Sequence, residues 1–347
     1  MATRVLLVGN PTAQSGKNAQ RIDAARVLLD GAGVPHDFQA TLPDGKTVAA
    51  VADQIRLQAY DVVVYMGGDG TFAEVAKGIL ASGCPERVRM GMLPTGTAND
   101  QGKSFGLEAE EGALERNVSV IAEGIREGLS CKLDAGHIRA LDDVGKVLRE
   151  DHFFDSAGWG ISPRVLQLRN EDRKTLAGIP IVRDLWRDQL VYAGALFRTF
   201  LESYLEDDKF DADVIADGVR HTWQGLTDLI VKGTRIYGGL WVFAPDARPD
   251  DGKFEIEPFV GKRDWISKAL VAFDDTGATE RGLESIGVQH SEGLSAAHFE
   301  LHLREHPGGL PVVTQIDGEE WTSSPRVVID VLPRVLTLLV SREHATM

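Results

Sequence analysis

The chain has 347 residues, 43% of them hydrophobic, and a formal net charge of −15. This composition is typical of a folded protein long enough for two domains of roughly 100–200 residues, and its acidity argues against a general nucleic-acid binder. Two cysteines in no metal or disulfide spacing predict a reducing compartment, and no stretch reaches the roughly 20 apolar residues that span a bilayer. The predicted location is the cytoplasm.

The first third of the sequence alternates apolar runs with stretches of helical periodicity. Short apolar runs that end in glycine, proline or polar residues predict strands at 5–8, 38–42, 61–66 and 89–93. Apolar residues at helical spacing predict helices between them at 18–29, 46–59 and 71–80. This order predicts a doubly wound parallel sheet covered by helices, with a ligand crevice at the carboxyl ends of the strands.

Strand-like runs separated by turn signals dominate after about residue 128. They predict strands at 132–141, 152–156, 210–216, 227–232, 239–243, 254–260, 298–304, 312–316 and 326–340. Helical signals interrupt them at 182–205 and 264–273. We therefore predict an α/β protein with an N-terminal nucleotide-binding domain over 1–129, a mostly antiparallel β domain over 130–347, and an active site in the cleft between them.

The strongest local signal is a glycine-rich loop between the third strand and the third helix. It consists of Gly67, Gly68, Asp69, Gly70 and Thr71. Glycines let backbone N–H groups approach a phosphate without an obstructing Cβ, and the helix that follows offers its positive N-terminal end to an anion. Asp69 suits magnesium binding or orientation of the nucleophile, and Thr71 suits donation to phosphate. The alternative interpretation is a tight turn with a capping Asp.

Two further polar segments follow predicted strands. Residues 93–100 read Leu-Pro-Thr-Gly-Thr-Ala-Asn-Asp, and Thr97, Asn99 and Asp100 suit phosphate or ribose contacts. The segment that starts at Asn10 reads Asn-Pro-Thr-Ala-Gln-Ser-Gly-Lys, which resembles a phosphate loop in composition but lacks P-loop spacing. Alone, each segment also fits an ordinary turn.

In this order, the three segments resemble the catalytic domain of the diacylglycerol kinase-like family, which includes bacterial lipid kinases and sphingosine and ceramide kinases. The resemblance continues at 153–160, at 237–239 with 245–254, and at 315–319. It covers nearly the whole chain, and the order of six motifs is more specific than any one of them. The sequence departs from the family at Gln101-Gly102, at Asp155 where Asn is common, and at Lys253 where Leu is common.

The resemblance implies an ATP- and Mg²⁺-dependent kinase acting on a lipid hydroxyl. It implies that Glu319 is the general base and that Asp69 is essential for phosphoryl transfer. The implied ATP-binding residues are Asn10, Thr41, Gly67, Gly68, Asp69, Gly70, Thr71, Thr97, Asn99 and Asp100. Asp251, with main-chain oxygens of Arg248 and Lys253, would hold a structural magnesium. From local sequence alone, Glu319 also fits a hairpin turn and Asp251 a polar turn before a strand.

The acceptor that the resemblance suggests first is diacylglycerol, which would give phosphatidic acid. Ceramide or a sphingoid base is an alternative acceptor. An NAD kinase-like or phosphofructokinase-like enzyme is a rival because those families share the Gly-Gly-Asp-Gly turn, although Gly-Thr-Ala-Asn-Asp and Asp-Gly-Glu favour the lipid kinase. A nucleotide-binding regulatory module without turnover is an alternative of a different class.

The predicted partners are a lipid alcohol and, transiently, a membrane surface, with no nucleic acid and with a homodimer left open. Residues 182–205 place aromatic and aliphatic side chains on one helical face with arginines beside it. This segment fits a helix packed on the β domain or one that lies at a membrane interface. The predicted location is cytoplasmic with peripheral membrane association.

Overall fold

The computed structural model describes residues 3–12, 17–164, 209–239, 241–261, 264–265, 267–268, 292–307, 309 and 311–345. The helix predicted at 182–205 lies outside these residues, as do most of the helix predicted at 264–273 and residues 13–16 of the first polar segment. The longer helices in order are α1 (Lys17–Gly31), α2 (Lys46–Gln58), α3 (Asp69–Ala81), α4 (Asp100–Ser104) and α5 (Leu114–Glu127).

The first half of the strands comprises β1 (Val5–Gly9), β2 (His36–Ala40), β3 (Val62–Gly67), β4 (Arg89–Pro94), β5 (Ser130–Leu141), β6 (Val147–Phe153), β7 (Ser156–Gly160) and β8 (Phe210–Ala216). The rest are β9 (Val219–Lys232), β10 (Ile236–Tyr237), β11 (Trp241–Val242), β12 (Phe254–Val260), β13 (Leu294–Ala296), β14 (His298–Glu305), β15 (Thr314–Ile316), β16 (Glu319–Trp321) and β17 (Arg326–Leu339).

The first four strands form a parallel sheet in the order β2-β1-β3-β4. All residues of β1 and β3 are buried, as continuous apolar strands covered on both faces must be. Side chains of α2 and α3, such as Ile55 and Phe72, share one core with Val63. Side chains of α1 and α5 share another core with Val62. The sheet is therefore doubly wound, as predicted.

The strands of the second half are mostly antiparallel and alternate between buried and partly exposed residues. β8 and β14 pair with each other and show this period of two over most of their length. Their buried positions meet those of β9, β12 and β17 in a separate core. The α/β first half and antiparallel second half confirm the predicted fold class.

The last strand joins the two halves into one continuous sheet. β17 pairs antiparallel with β14 through its first residues, antiparallel with β5 on both sides of a register shift, and parallel with β4 at Thr337 and Leu338. A register shift between Leu332 and Leu336 separates the two parts, with Arg334 at a φ of 55°. Leu336 and Leu338 lie in the core of the first domain. The division after residue 129 stays a prediction, and the end of the chain packs with the first domain.

Candidate active site

The glycine-rich loop forms the start of α3. Gly67 ends β3, Gly68 has extended backbone at the N-cap position, and Asp69 is the first helical residue. A Cβ at Gly67 would overlap the side chain of Thr71, which folds back over the loop. The free N–H groups of the first helical turn point away from the helix body at the carboxyl edge of the sheet. This helix start is suited to hold a phosphate.

The loop after β4 packs directly on the glycine-rich loop. Thr95 donates its N–H to the carbonyl of Gly67 (2.7 Å), and a Cβ at Gly96 would overlap the Cα of Gly68. The Asn99 side chain bridges its own loop by accepting from the Gly96 N–H and donating to the Gly96 carbonyl, both at 2.8 Å. Thr97 is exposed at the tip. Glycine is needed at 68 and 96 because the two backbones touch.

Asp69 is held by the second loop. Its Oδ2 accepts the N–H of Asn99 (2.8 Å), while its Oδ1 is buried and has no hydrogen-bond partner among the described residues. Burial, and then the charge of Asp155, raise the pKa of Asp69 to about 6, against the lowering effect of backbone N–H groups. A buried, unpartnered carboxylate oxygen costs free energy unless a ligand reaches it. The oxygen fits a hard cation such as Mg²⁺, which prefers oxygen ligands.

Asp100 fastens the first domain to the second. Its carboxylate accepts the N–H groups of Gly238, at 2.8 Å, and Gly239. Lys103, one turn later in α4, donates to the carbonyl of Gly239 (2.7 Å). Burial and the charges of Asp155 and Asp69 raise the pKa of Asp100 well above its ordinary value. Both oxygens are thus engaged by the β10–β11 turn.

A buried lysine balances these carboxylates, and sequence reasoning missed it. Lys232, fully buried at the end of β9, donates to Asp155 Oδ1 (2.7 Å) and to the carbonyl of Ile236 (2.6 Å). Thr234 donates to the same Asp155 oxygen. A signal was available, because a lysine ends the apolar run of β9 while Asp stands at 155 where the related family commonly has Asn. A charged lysine in an apolar strand and an Asp in place of Asn are together consistent with an ion pair between Lys232 and Asp155.

Glu319 follows a tight turn that a buried aspartate holds in place. Asp317 and Gly318 both have positive φ, 47° and 77°, as a two-residue hairpin turn requires. The Asp317 carboxylate accepts three consecutive backbone N–H groups, from Phe154 (3.0 Å), Asp155 (2.8 Å) and Ser156 (3.2 Å). Burial, and then the charge of Asp155, raise the pKa of Asp317 to about 7. The backbone that carries Glu319 is therefore fixed.

The turn brings Glu319 against the glycine-rich loop. A Cβ at Gly70 would lie 3.3 Å from Glu319 Oε1, so the two are in contact across the domain boundary. A cavity of about 110 Å³ opens beside them and is also lined by Lys77 and Asp151. Lys77 on α3 pairs with Asp151 on β6 at 2.7 Å, which ties the two domains together at this cavity. Glu319 thus lines this cavity together with Gly70, the residue that follows Asp69 in the chain.

Asn10 and Thr41 lie at the same edge of the sheet, after β1 and β2. Asn10 donates its N–H to the carbonyl of Met66 (3.4 Å), and its side chain accepts from the backbone and hydroxyl of Thr12. Thr41 donates its N–H to the carbonyl of Gly9 (2.9 Å). Parallel strands place their carboxyl ends together, which brings both residues to the crevice edge.

Comparisons with known proteins agree with this geometry. The family model described as the diacylglycerol kinase catalytic domain matches residues 4–137. A diacylglycerol kinase of Staphylococcus aureus (strain bovine RF122 / ET3-1) is 27% identical over 257 residues, which cover 74% of this chain and 70% of that protein. The Staphylococcus carnosus (strain TM300) diacylglycerol kinase is 27% identical over 258 residues, which cover 74% and 72%. Together these matches indicate a lipid kinase that is similar to diacylglycerol kinases.

Solved structures agree on the fold. The crystal structure of a diacylglycerol kinase from Bacillus anthracis str. Sterne covers 98% of both chains with a TM-score of 0.66 at 19% identity. A yeast NADH kinase, solved in complex with NADH, covers 99% of this kinase and 84% of its own chain with a TM-score of 0.52 at 10% identity. At these identities the likeness shows the two-domain fold alone.

The predicted structural metal residues of the kinase share one turn, at 248–253. Asp251 is exposed, and its Oδ1 accepts the N–H of Lys253 (3.0 Å). Buried Asp134 on β5 fixes the turn by accepting the N–H groups of Gly252 and Arg334, each at 2.6 Å. The turn is thus held by β5 and β17 rather than by the loops after β3 and β4.

The oxygens of this turn meet part of the requirement for Mg²⁺. The set of one carboxylate and two main-chain carbonyls supplies the oxygen ligands that the ion prefers. Arg248 lies 3.8 Å from Asp250, and Asp250 Oδ1 is buried without a hydrogen-bond partner in the described residues. Across the described part of the chain, no group of three or more His, Cys, Asp or Glu side chains is arranged to hold a metal.

The described residues also contain no helix with the length and hydropathy of a membrane span.

Proposed function

We propose that this kinase transfers the γ-phosphate of ATP to the free hydroxyl of diacylglycerol and forms phosphatidic acid. The contact between Glu319 and the glycine-rich loop carries the proposal. It unites a carboxylate from the second domain with the phosphate-binding helix start of the first. The curated relatives that match most of the chain are diacylglycerol kinases, which favours this acceptor over other lipid alcohols.

The ATP phosphates occupy the start of α3 in this proposal. Backbone N–H groups of residues 67–71 face them, and the helix dipole favours their negative charge. The side chains proposed around the nucleotide are those of Asn10, Thr41, Thr71, Thr97 and Asn99. Asp100 contributes by keeping the loop after β4 attached to the second domain, since its oxygens accept from Gly238 and Gly239.

Glu319 is the proposed general base. Its carboxylate takes the proton from the acceptor hydroxyl as the hydroxyl oxygen bonds to the γ-phosphorus, and the bond from that phosphorus to the bridging oxygen breaks to release ADP. Asp69 offers its unpartnered Oδ1 to the Mg²⁺ that accompanies ATP, and bound magnesium supplies charge neutralisation for the transferred phosphoryl group. Positioning by the fixed Asp317 turn keeps the base beside the reacting group.

A second magnesium is proposed at the 248–253 turn. The ligands are the Asp251 carboxylate and the main-chain oxygens of Arg248 and Lys253. Its role is structural because the turn is anchored to β5 and β17 through Asp134. The proposed location is the cytoplasm, with transient contact at the membrane that holds the acceptor.

The test is transfer of label from γ-labelled ATP to a panel of acceptors in mixed micelles. The panel contains diacylglycerol, ceramide, a sphingoid base and, as non-lipid acceptors, NAD and a sugar phosphate. Label in diacylglycerol alone, absent from the Asp69→Asn and Glu319→Gln variants, is the expected result. Glu320→Gln, which changes the exposed neighbour of Glu319, is the matched control and retains activity.

Other outcomes decide between the alternatives. Label in ceramide or the sphingoid base would keep the lipid kinase and replace its acceptor. Label in NAD would favour the activity suggested by the fold likeness to NADH kinase. ATP binding without transfer to any acceptor would favour a regulatory module that has lost turnover.

A further inference from the structure

The turn between β5 and β6 exposes a cluster of apolar side chains. Val144 is 87% exposed, Val147 43% and Leu148 56%, and we call these three residues the apolar tip. Single exposed apolar residues are ordinary, whereas three within five residues at the end of a hairpin indicate an interaction surface. Among the described strands β6 pairs only with β5, so the hairpin lies at a sheet edge.

The apolar tip is held in shape by its own hydrogen bonds. Asp142 Oδ1 accepts the N–H groups of Val144 (3.0 Å) and Lys146 (2.8 Å). The Asp142 N–H donates to the Lys146 carbonyl (2.9 Å), and the Gly145 N–H donates to the Asp142 carbonyl (3.0 Å). Gly145 takes the positive φ that the turn needs, 85°. The apolar side chains are therefore presented by a bonded turn, which lowers the entropy cost of docking.

The same hairpin leads into the active-site cavity. Leu148 precedes Arg149, whose guanidinium lies 5.5 Å from the ring centre of Trp321. Arg149, Trp321 and Glu319 all line the cavity beside Gly70. At about 3.3 Å per strand residue, the apolar tip is roughly 15–20 Å from the cavity. A surface that binds the apolar tip therefore lies within this distance of Glu319, the proposed base.

We propose that the apolar tip inserts into the surface of a lipid bilayer and delivers the cavity beside Glu319 to the membrane. This inference rests on the proposed lipid acceptor, whose acyl chains keep it in a bilayer. Apolar side chains flanked by long cations are suited to the boundary between headgroups and acyl chains. The hairpin carries the tip at its end and lines the cavity with Arg149 and Asp151, so insertion of the tip sets the position of the cavity.

The charges around the tip are nearly balanced, unlike those of the chain as a whole. Lys146, Arg149 and Arg326 flank the tip, and Arg326 donates to the carbonyl of Asp143 (3.2 Å). The nearby carboxylates are those of Asp142, Asp143, Glu150 and Asp151, and Asp151 pairs with Lys77 at 2.7 Å. The chain as a whole carries −15. Anionic lipids therefore repel the hairpin less than the rest of this protein, which orients the encounter.

The experiment measures sedimentation with vesicles of phosphatidylcholine and phosphatidylglycerol, together with activity toward two acceptors. One acceptor is long-chain diacylglycerol in the vesicles, and the other is a short-chain, water-soluble diacylglycerol. The variant Val144→Asp/Leu148→Asp should bind vesicles about tenfold less tightly or worse and lose activity in proportion on the vesicle acceptor. Its activity on the soluble acceptor and its thermal unfolding midpoint should match the unmodified chain, because both side chains are exposed.

Two further variants make the test specific. Leu57→Asp alters an apolar side chain of α2 that is 78% exposed and should leave vesicle binding unchanged. Val144→Trp should strengthen vesicle binding, because indole favours the interface. Equal losses for Leu57→Asp and the tip variant would overturn the inference, as would a tip variant that keeps vesicle binding or loses activity on the soluble acceptor. Absent activity on both acceptors in the unmodified chain, with tip-dependent vesicle binding, would reject the acceptor and retain the membrane surface.

Discussion

Two acidic turns of this kinase, at 315–319 and 248–253, are built in the same way and face different neighbours. In each, a buried aspartate accepts backbone N–H groups: Asp317 from residues 154–156, and Asp134 from Gly252 and Arg334. In each, an exposed carboxylate, Glu319 or Asp251, extends from the fixed backbone. The buried acid fixes the backbone from which the exposed acid extends. The two turns differ in what they lie against. Glu319 lies beside the glycine-rich loop, whereas the 248–253 turn is bonded to β5 and β17, which suits the proposed catalytic role of the first and the proposed structural role of the second.

Replacing the exposed acid of the first turn should have the largest effect. Glu319→Gln removes the proposed proton acceptor without changing the turn, and we expect the rate of transfer to fall by about 10²–10⁴-fold. ATP affinity should not decrease, because the amide keeps the size of the side chain beside Gly70 and removes a negative charge next to the loop proposed to bind phosphate. Steady-state kinetics with both substrates checks this. A decrease in ATP affinity with an unchanged turnover rate would contradict the role of base.

The ion pair between Lys232 and Asp155, which lies beneath the first turn, should have a large effect on the free energy of unfolding. Lys232→Met leaves the buried Asp155 carboxylate without its cation, and we expect a loss of about 3–5 kcal/mol in the free energy of unfolding. Urea denaturation measures it. Lys46→Met, at a lysine whose side chain is 68% exposed, is the matched control and should change little.

A second substitution separates the pair from the lysine alone. Adding Asp155→Leu to Lys232→Met removes the uncompensated charge and should recover part of the lost stability. If the double variant loses as much stability as Lys232→Met and Asp155→Leu lose in sum, Lys232 acts through the Ile236 carbonyl rather than through Asp155.

The buried acid of the second turn should have a smaller effect. Asp134→Asn leaves one acceptor oxygen for two N–H groups, and we expect a loss of about 1–3 kcal/mol in the free energy of unfolding. Asp251→Asn should leave stability without metal unchanged and remove the rise in unfolding temperature that Mg²⁺ produces. Thermal scans with Mg²⁺ or a chelator test both. An unaltered response to Mg²⁺ in Asp251→Asn would rule out this turn as the site.

The last expected effect is a pH dependence of stability from Asp317. Its pKa is raised from 3.8 to about 7 in the folded state, so the folded protein holds this proton where the unfolded chain has released it. Its contribution is fully present below about pH 4 and is lost as pH rises to about 7, because the slope follows the proton difference between the states. Asp317→Asn should flatten the decline in unfolding free energy between these values. An identical slope in both proteins would show that Asp317 does not titrate there.

Local pattern predicted the first domain closely. The fully apolar runs of β1 and β3 and the periodicity of α2 placed these elements to within a residue or two, because both faces of the sheet are covered. β2 begins at His36, two residues before its predicted start, since its exposed, polar residues carry little periodic signal. α5 was not predicted, although its buried Val118 and Ile121 fall at helical spacing.

In the second domain, the sequence predicted the long strands better than the short strands and turns that connect them. β8 and β12 were predicted at their observed bounds because buried and partly exposed residues alternate along β8 and along the first part of β12. β16 was missed, since three residues, Glu319–Trp321, are too few to show a period. The Asp317-Gly318 turn was visible as a turn signal, but its contact with Gly70 joins distant parts of the chain that no local pattern relates.

The sequence by itself determined the fold class, the glycine-rich loops proposed to bind phosphate, and the ordered motifs that indicate a lipid kinase, because each is read from residues close together in the chain. Only the tertiary structure decided that Glu319 lies beside Gly70 and that Asp100 accepts hydrogen bonds from the β10–β11 turn. It also decided that Lys232 pairs with Asp155 and that β17 joins the two halves of the sheet. These are contacts between segments far apart in sequence. Their partners are selected by burial and by the need to satisfy every buried N–H group and charge, which becomes defined when the whole chain has packed.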